Sequence, residues 1–313
     1  MKKVIGVDLG GTNIKSAIVD EKGNIIKNVT IPTFAERGYK LVVEQIEKAI
    51  SMLISDEIDG IGIGSPGIVS AEKGTISYPP NFPGWKVVNM KKILEAKFNK
   101  PVFVENDANA AAIGEYIYGQ KMKKPNFIMV TLGTGVGGGI FYKGELMRGE
   151  TGGAGEVGHI SIDYKGEKCN CGSTGCIEAY AGNQKIIYSV NNKIKTHSES
   201  KVFELLGNDL TGLEPKVLFE AAKLGDEFSI KAIAEIGEYL GYGLSNAVNL
   251  LDIATIIVGG GVSGFGDFIL NPMENIIKSR VMKSIQPRVK VMRSKLGNEA
   301  GVKGAASLVK YFN

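Results

Sequence analysis

A chain of 313 residues with 43% hydrophobic and 22% charged content is long enough for two substantial cores and has the balance of an ordinary globular protein. Its net charge of +4 is small and no basic run is interleaved with aromatics, which argues against a nucleic-acid surface. The most apolar long stretch, residues 232–262, is interrupted by Glu235, Glu238, Asn246, Asn249 and Asp252, so no membrane span is expected, and few cysteines without a disulfide pattern make the cytoplasm the default.

The opening MKKVIGVDLGG runs straight into a strand containing Asp8, unlike a signal peptide. Residues 4–9 are apolar around Asp8, residues 14–19 continue after the turn Gly10-Gly11-Thr12, and Gly23-Asn24 marks a hairpin before a strand at 25–31. Val42, Ile46, Ala49, Ile50 and Leu53 then recur at helical spacing. A buried strand at 59–65 ends in Pro66-Gly67, followed by a Pro-rich loop at 78–85, a short helix near 91–98 and a strand at 102–105. Asn106-Asp107 leads into an Ala-rich helix, and both residue types are good N-caps.

Near Phe127 the pattern begins again. Setting DLGGTNIKSAIVDEKG (8–23) against TLGTGVGGGIFYKG (131–144) shows one plan, shortened by two residues in the second copy. The strand at 61–67 matches 256–262, and 102–105 matches 289–292. A long internal repeat of this kind implies two related domains. Strand-strand-strand-helix-strand-helix-strand, twice over, resembles the duplicated ribonuclease H-like α/β architecture of actin, Hsp70 and sugar kinases, two domains with a cleft between them. The boundaries expected are a small domain at 1–118, completed by a C-terminal helix at 300–313, and a larger one at 119–299. The larger carries extra helices, one of them marked by the apolar stripe Ile233, Ile236, Leu240, Leu244, Val248 and Leu251.

Three segments satisfy G-x-G-x-x-G, beginning at Gly62, Gly133 and Gly259, and they cannot all be dinucleotide fingerprints. The Walker pattern is absent, since Ile14 stands where a glycine must precede Lys15. The turns Gly10-Gly11-Thr12 and Gly133-Thr134-Gly135 nevertheless recur at the same place in each repeat, with free backbone N–H groups that suit an anion. Asp8 beside the first turn suits a magnesium ion held through water, and Lys15 reads either as a phosphate ligand or as a solvated lysine. Gly260-Gly261 by itself says only that a tight turn follows a strand.

Residues 156–178 gather one of the two histidines and all three cysteines between two glutamates, one at each end. Cys169-x-Cys171-x4-Cys176, with His159 ahead of it, is a Cys3His set suited to a tetrahedral zinc ion. Four protein ligands leave no open position for a catalytic water, so the metal is expected to be structural. Gly172 and Gly175 stand where the chain must turn back with backbone N–H groups free to face sulfur. Glu156 and Glu178 flank the set, and two carboxylates with an imidazole N–H around one point suit a polyol, the alternative being solvated surface charges.

E-x-G-H followed by C-x-C-G-x-x-G-C-x-E, carried here by Glu156, Gly158, His159, Cys169, Cys171, Gly172, Gly175, Cys176 and Glu178, resembles the signature of the ROK family. That family is named for repressors, open reading frames and sugar kinases. The resemblance implies a structural zinc beside a hexose site formed by Gly67, Asn81, Asn106, Asp107, Glu156, His159 and Glu178. By the family's Asn-Asp motif, Asp107 is the general base toward the sugar 6-hydroxyl. ATP is implied at Gly10, Gly11, Thr12, Lys15, Gly133, Thr134 and Gly135, with Gly260 and Gly261 at the adenosine and magnesium at Asp8. Trp85 reads at least as well as packing as it does as a sugar contact.

Nearly the whole chain resembles the bacterial glucokinases of this family, which implies phosphorylation of glucose to glucose 6-phosphate and a homodimer or higher homo-oligomer. N-acetylmannosamine, N-acetylglucosamine, allose and fructose stay open as acceptors. The rivals from other classes are a sugar-sensing regulator, for which no helix-turn-helix segment is expected ahead of the strand at Val4, and an actin-like ATPase, which would lack the zinc motif.

Overall fold

The computed structural model describes residues 2–80, 82–120, 125–207 and 209–313. The chain opens with β1 (Lys3–Leu9), β2 (Asn13–Asp20) and β3 (Ile25–Pro32), an antiparallel meander, followed by α1 (Tyr39–Ser51) and β4 (Ile58–Ser65). Three short strands come next, β5 (Ile68–Ser70), β6 (Thr75–Ser77) and β7 (Val87–Asn89), then α2 (Met90–Phe98), β8 (Val102–Asn106) and α3 (Asp107–Gly114). The second repeat begins with β9 (Phe127–Leu132), β10 (Val136–Tyr142) and β11 (Glu145–Met147). The helices α4 (Glu178–Ala181), α5 (Asn183–Lys193), α6 (Lys201–Leu206), α7 (Pro215–Lys223) and α8 (Glu227–Leu251) intervene before β12 (Thr255–Gly259), α9 (Asp267–Arg280), β13 (Lys290–Arg293) and α10 (Ala300–Phe312).

Two five-stranded sheets result, ordered β3-β2-β1-β4-β8 and β11-β10-β9-β12-β13. Position for position these are the same sheet. In each, the first strand of its repeat pairs in parallel with the fourth, and the fourth with the fifth. The duplicated ribonuclease H-like α/β fold expected from the internal repeat is therefore present. A third sheet, β5-β6-β7, lies on either side of the Pro-rich loop, in segments for which the sequence suggests no strand, its strands being too short to show a period.

The chain forms two compact units. One comprises Met1–Pro125, Gly139–Gly155 and Ser294–Asn313, and the other Asn126–Gly138 and Glu156–Arg293. Beside the segments expected of it, the first unit takes in Gly139–Gly155, where the Leu146 N–H donates to the Tyr311 hydroxyl at 3.0 Å. Its core joins Ile5, Val7, Ile46, Ile50, Ile61, Ile63, Leu94 and Val104, the inward residues of the sheet and the apolar faces of α1 and α2. Trp85 belongs to this core; it is edge-on to Phe82 at 5.6 Å, and its indole N–H donates to the Ile76 carbonyl at 3.2 Å. In the second unit the stripe from Ile233 to Val248 on α8 is buried, as its spacing requires.

On the other face of the first sheet, α10 lies directly on the backbone of β1 and β4. A Cβ on Gly62 would overlap the Ala305 carbonyl oxygen, and one on Gly6 would overlap that of Val302. These strands read Ile-Gly-Val and Gly-Ile-Gly-Ile-Gly because one face must carry no side chain where the helix sits.

Gly62→Ala is expected to destabilise the protein by about 2–3 kcal/mol, since the neighbour is backbone and cannot yield. Gly133→Ala, where a Cβ meets nothing within 4 Å, is expected to melt close to wild type. Urea unfolding of the two variants beside wild type measures both.

Candidate functional site

Asn106 is the N-cap of α3. Its side-chain oxygen accepts from the N–H groups of Ala108 and Asn109 at 3.0 and 3.2 Å, and its amide donates to the Gly67 carbonyl at 3.3 Å. Asp107 opens the helix, its own carboxylate accepting from the Ala108 N–H at 2.8 Å. Although Asp107 keeps solvent-accessible surface, the surrounding protein strips enough water from the carboxyl to raise its pKa.

Behind that cap stands Glu105, which the sequence reading passed over. It is 1% exposed, and it accepts from the Asn106 N–H at 3.0 Å and from the Asn109 amide at 3.3 Å. Its other oxygen pairs with Arg148 at 2.9 Å, and the guanidinium lies over the rings of Tyr311 and Phe312. A glutamate immediately before an N-cap was the only signal available, because its partner is 43 residues away.

Asp8 stands one residue before the end of β1, opposite Lys15 in the register. Burial and the nearby Asp107 carboxylate push Asp8 up to about 6, while Lys15 pulls it down. The turn after Asp8 is fixed by the Gly10 N–H donating to the Asn13 carbonyl at 3.1 Å and by the Thr33 hydroxyl donating to the Gly10 carbonyl at 2.7 Å. Gly11 and Thr12 are exposed. The first unit thus brings together Asp8, Lys15, the glycine turn, Gly67, Asn106 and Asp107, whereas Asn81 lies outside the described residues.

In the second unit the ligand atoms of His159, Cys169, Cys171 and Cys176 all lie within 4.8 Å of one another. The Cys171 and Cys176 sulfurs are 3.7 Å apart, and the Cys169 sulfur is 3.6 Å from His159 Nδ1. A tetrahedron with metal–sulfur bonds of about 2.3 Å has sulfur–sulfur edges of roughly 3.75 Å, so both of these distances fit a zinc site. Gly172 and Gly175 take φ of 92° and 72°, as expected of the turns that fold the loop back. Burial pushes the Cys169 thiol up to about 12 and raises Cys176, while the Ser173 N–H lowers Cys171. A cation would supply the charge that two enclosed thiolates need. With Nδ1 turned to sulfur, His159 Nε2 faces the Glu156 carboxylate at 4.0 Å.

Glu178 begins α4 two residues after Cys176. One of its oxygens lies 3.9 Å from the Cys169 sulfur and the other accepts from the Val136 N–H at 2.9 Å, immediately after Gly133-Thr134-Gly135. At the end of β12, Gly260 has φ 83°, and a Cβ there would overlap the Leu132 carbonyl, so packing against β9 already requires glycine. Gly261 meets no such neighbour.

The description "ROK family" matches residues 4–311. A glucokinase from Thermotoga maritima is 36% identical over 310 residues, covering 98% of this chain and 97% of its own length. A xylose repressor from Caldicellulosiruptor bescii is 33% identical over 98% of this chain and 77% of the repressor. Among solved structures, a ROK family glucokinase from Streptomyces griseus in complex with glucose and AMPPNP aligns with a TM-score of 0.87 and 35% identity over 98% of both chains. Full-length agreement with the family, on a fold that repeats its sheet and keeps its Cys3His set intact, means that this chain belongs to the ROK family.

Proposed function

We propose that this protein is an ATP-dependent glucokinase, transferring the γ-phosphoryl group of ATP to the 6-hydroxyl of glucose to give glucose 6-phosphate and ADP. The observation that carries the reading is the agreement over 98% of both chains with a glucokinase bound to glucose and an ATP analogue. The residues here have the chemistry this reaction needs.

Asp107 accepts the proton of the 6-hydroxyl as that oxygen bonds to the γ-phosphorus and the bond to the bridging oxygen of ADP breaks. A raised pKa suits the task, because a carboxylate held above its ordinary range is a better base. Asn106 fixes the helix start that presents Asp107 and serves as a sugar ligand, with Gly67 tied to it. Asn81, Glu156, His159 and Glu178 complete the hexose ligands, His159 through the ring nitrogen not turned to sulfur. Backbone N–H groups of Gly10, Gly11, Thr12, Gly133, Thr134 and Gly135, with Lys15, hold the phosphates, and Gly260 and Gly261 flank the adenosine. Magnesium, when bound near Asp8, offsets charge on the phosphates. Zinc at His159, Cys169, Cys171 and Cys176 is structural and fixes the loop that carries the sugar ligands. The enzyme works as a cytoplasmic homo-oligomer.

ADP release from Mg-ATP is the first test, run with glucose, mannose, fructose, N-acetylglucosamine and N-acetylmannosamine against a blank without sugar. Strong release with glucose alone, and little in the blank, is the expected result. Release indifferent to sugar points to an ATPase, and none at all, with sugar still bound, to a sensor of the kind the repressor relatives represent. Asp107→Asn is expected to keep sugar binding and lower kcat by about 100-fold or more; near-normal turnover would remove Asp107 from its role.

Asp8 supplies a pH dependence. Its folded pKa of about 6 lies above the ordinary 3.8, so the folded state holds the proton more tightly. The stabilising contribution is full below about pH 4, falls as pH rises through 6, and is absent above it. Asp8→Asn should therefore stabilise the nucleotide-free protein at pH 7.5 by up to about 3 kcal/mol in chelator while abolishing most activity. Thermal melts at pH 4 and 7.5 read the difference, and a variant no more stable than wild type at 7.5 contradicts it. Cys171→Ser is expected to lower bound zinc from one equivalent to near zero; an unchanged metal content on elemental analysis would exclude the cluster as the site.

A further inference from the structure

We infer that Glu178 is a positioning residue for the phosphate turn of the second unit, and that the segment leaving the metal loop is that turn's buttress. This rests on the reading of Gly133-Thr134-Gly135 as a nucleotide contact. It goes further, because it gives a sugar-side residue a hold on nucleotide affinity.

The turn has little support of its own. Its internal bond runs from the Gly133 N–H to the Gly135 carbonyl at 3.0 Å, and Thr134 at its tip is exposed. Beyond the pairing of β9 with β10, its flanks are held by the stretch between Glu156 and Asn183. Glu178 accepts the Val136 N–H at 2.9 Å on one side of the turn, and the Asn183 N–H donates to the Gly133 carbonyl at 3.1 Å on the other. Gly158, inside E-x-G-H, packs so closely that a Cβ there would overlap the Val136 carbonyl. A Cβ on Gly135 would likewise overlap the Glu178 carboxylate. A side chain at 135 would thus displace the carboxylate from its place beside the turn. Both halves of the metal motif converge on the first residue of β10.

The carboxylate divides its work between its two oxygens. The one bonded to Val136 sets where the turn sits, and the other, 3.9 Å from the Cys169 sulfur, is the one that the proposed sugar contact would use. A charge-assisted bond to a backbone N–H is among the stronger hydrogen bonds, so its loss should let the turn drift and weaken nucleotide binding even with no sugar present. A residue that served only as a sugar ligand would have no such effect.

The test is calorimetric titration of the zinc-loaded full chain with Mg-ADP in the absence of sugar, with zinc content and melting temperature measured on the same samples. Glu178→Ala is expected to weaken Mg-ADP about tenfold or more, the scale of one charge-assisted hydrogen bond. Glu178→Gln keeps an acceptor oxygen in place and should restore affinity to within about threefold of wild type, a rescue that general loosening would not give. Should the alanine variant fail to fold, Glu178→Asp keeps the charge but draws the carboxylate back from Val136, and should weaken Mg-ADP similarly. A folded, zinc-loaded alanine or aspartate variant that binds Mg-ADP as wild type does overturns the inference and leaves the glucokinase reading standing. Wild-type protein that binds no nucleotide overturns both.

Discussion

The close seating of α10 on bare backbone governs the first unit. Because glycines on β1 and β4 carry no side chain toward it, the helix comes within touching distance of the strands, and it does the same to α3, where a Cβ on Gly304 would crowd the Ala110 carbonyl. The consequence reaches both acidic groups of the proposed reaction. Gly301 of α10 sits against the Asp8 carboxylate, so the last helix of the chain helps to enclose the end of the first strand. Asp107 stands on the helix that α10 clamps from the far side. A packing device built of glycines therefore sets the surroundings of two carboxylates more than ninety residues apart in sequence.

Those surroundings carry an electrostatic cost. Asp8 is raised by enclosure first and by the neighbouring Asp107 second, with Lys15 too weak an offset to restore it. Two partly dehydrated carboxylates near one another favour whatever cation arrives, and polyphosphate arrives with one. On the proposed reading, binding of nucleotide and its metal relieves this cost, the usual relation between stability and function at an active centre. Glu105 shows the opposite arrangement close by. It is paired within the fold with Arg148, and its remaining oxygen is spent on the cap of α3, so it holds Asp107's helix start.

Local signals account for most of what the sequence made readable. Cys169, Cys171 and Cys176 lie within eight residues and His159 ten residues ahead, so spacing alone revealed the metal set, and the repeated glycine turns revealed the duplication. Asn106 was readable as a cap because capping is a property of the residue and its next three neighbours. Glu105 with Arg148, the strands β5 to β7, and the membership of Gly139–Gly155 in the first unit were not readable. Each depends on partners dozens of residues away, or on strands too short to carry a period. Gly6 and Gly62 were visible as glycines in strands, but the reason for them is a helix at the other end of the chain.

The two repeats solve one problem by different means. In the first, the strand that precedes the phosphate turn carries Asp8, whereas the matching position of the second is Thr131, which cannot bear charge. The second repeat receives its carboxylate from a segment that the first repeat lacks, as Glu178, two residues after Cys176. A carboxylate in a strand can meet a cation but holds its turn only through the backbone. One delivered by a metal-fixed loop can accept a turn N–H with one oxygen and meet a hydroxyl with the other. On the proposed reading, the first turn is thus suited to a metal on the phosphates and the second to a carboxylate shared with the sugar. On this reading the Cys3His loop, present in only one of the two copies, is what distinguishes the two turns.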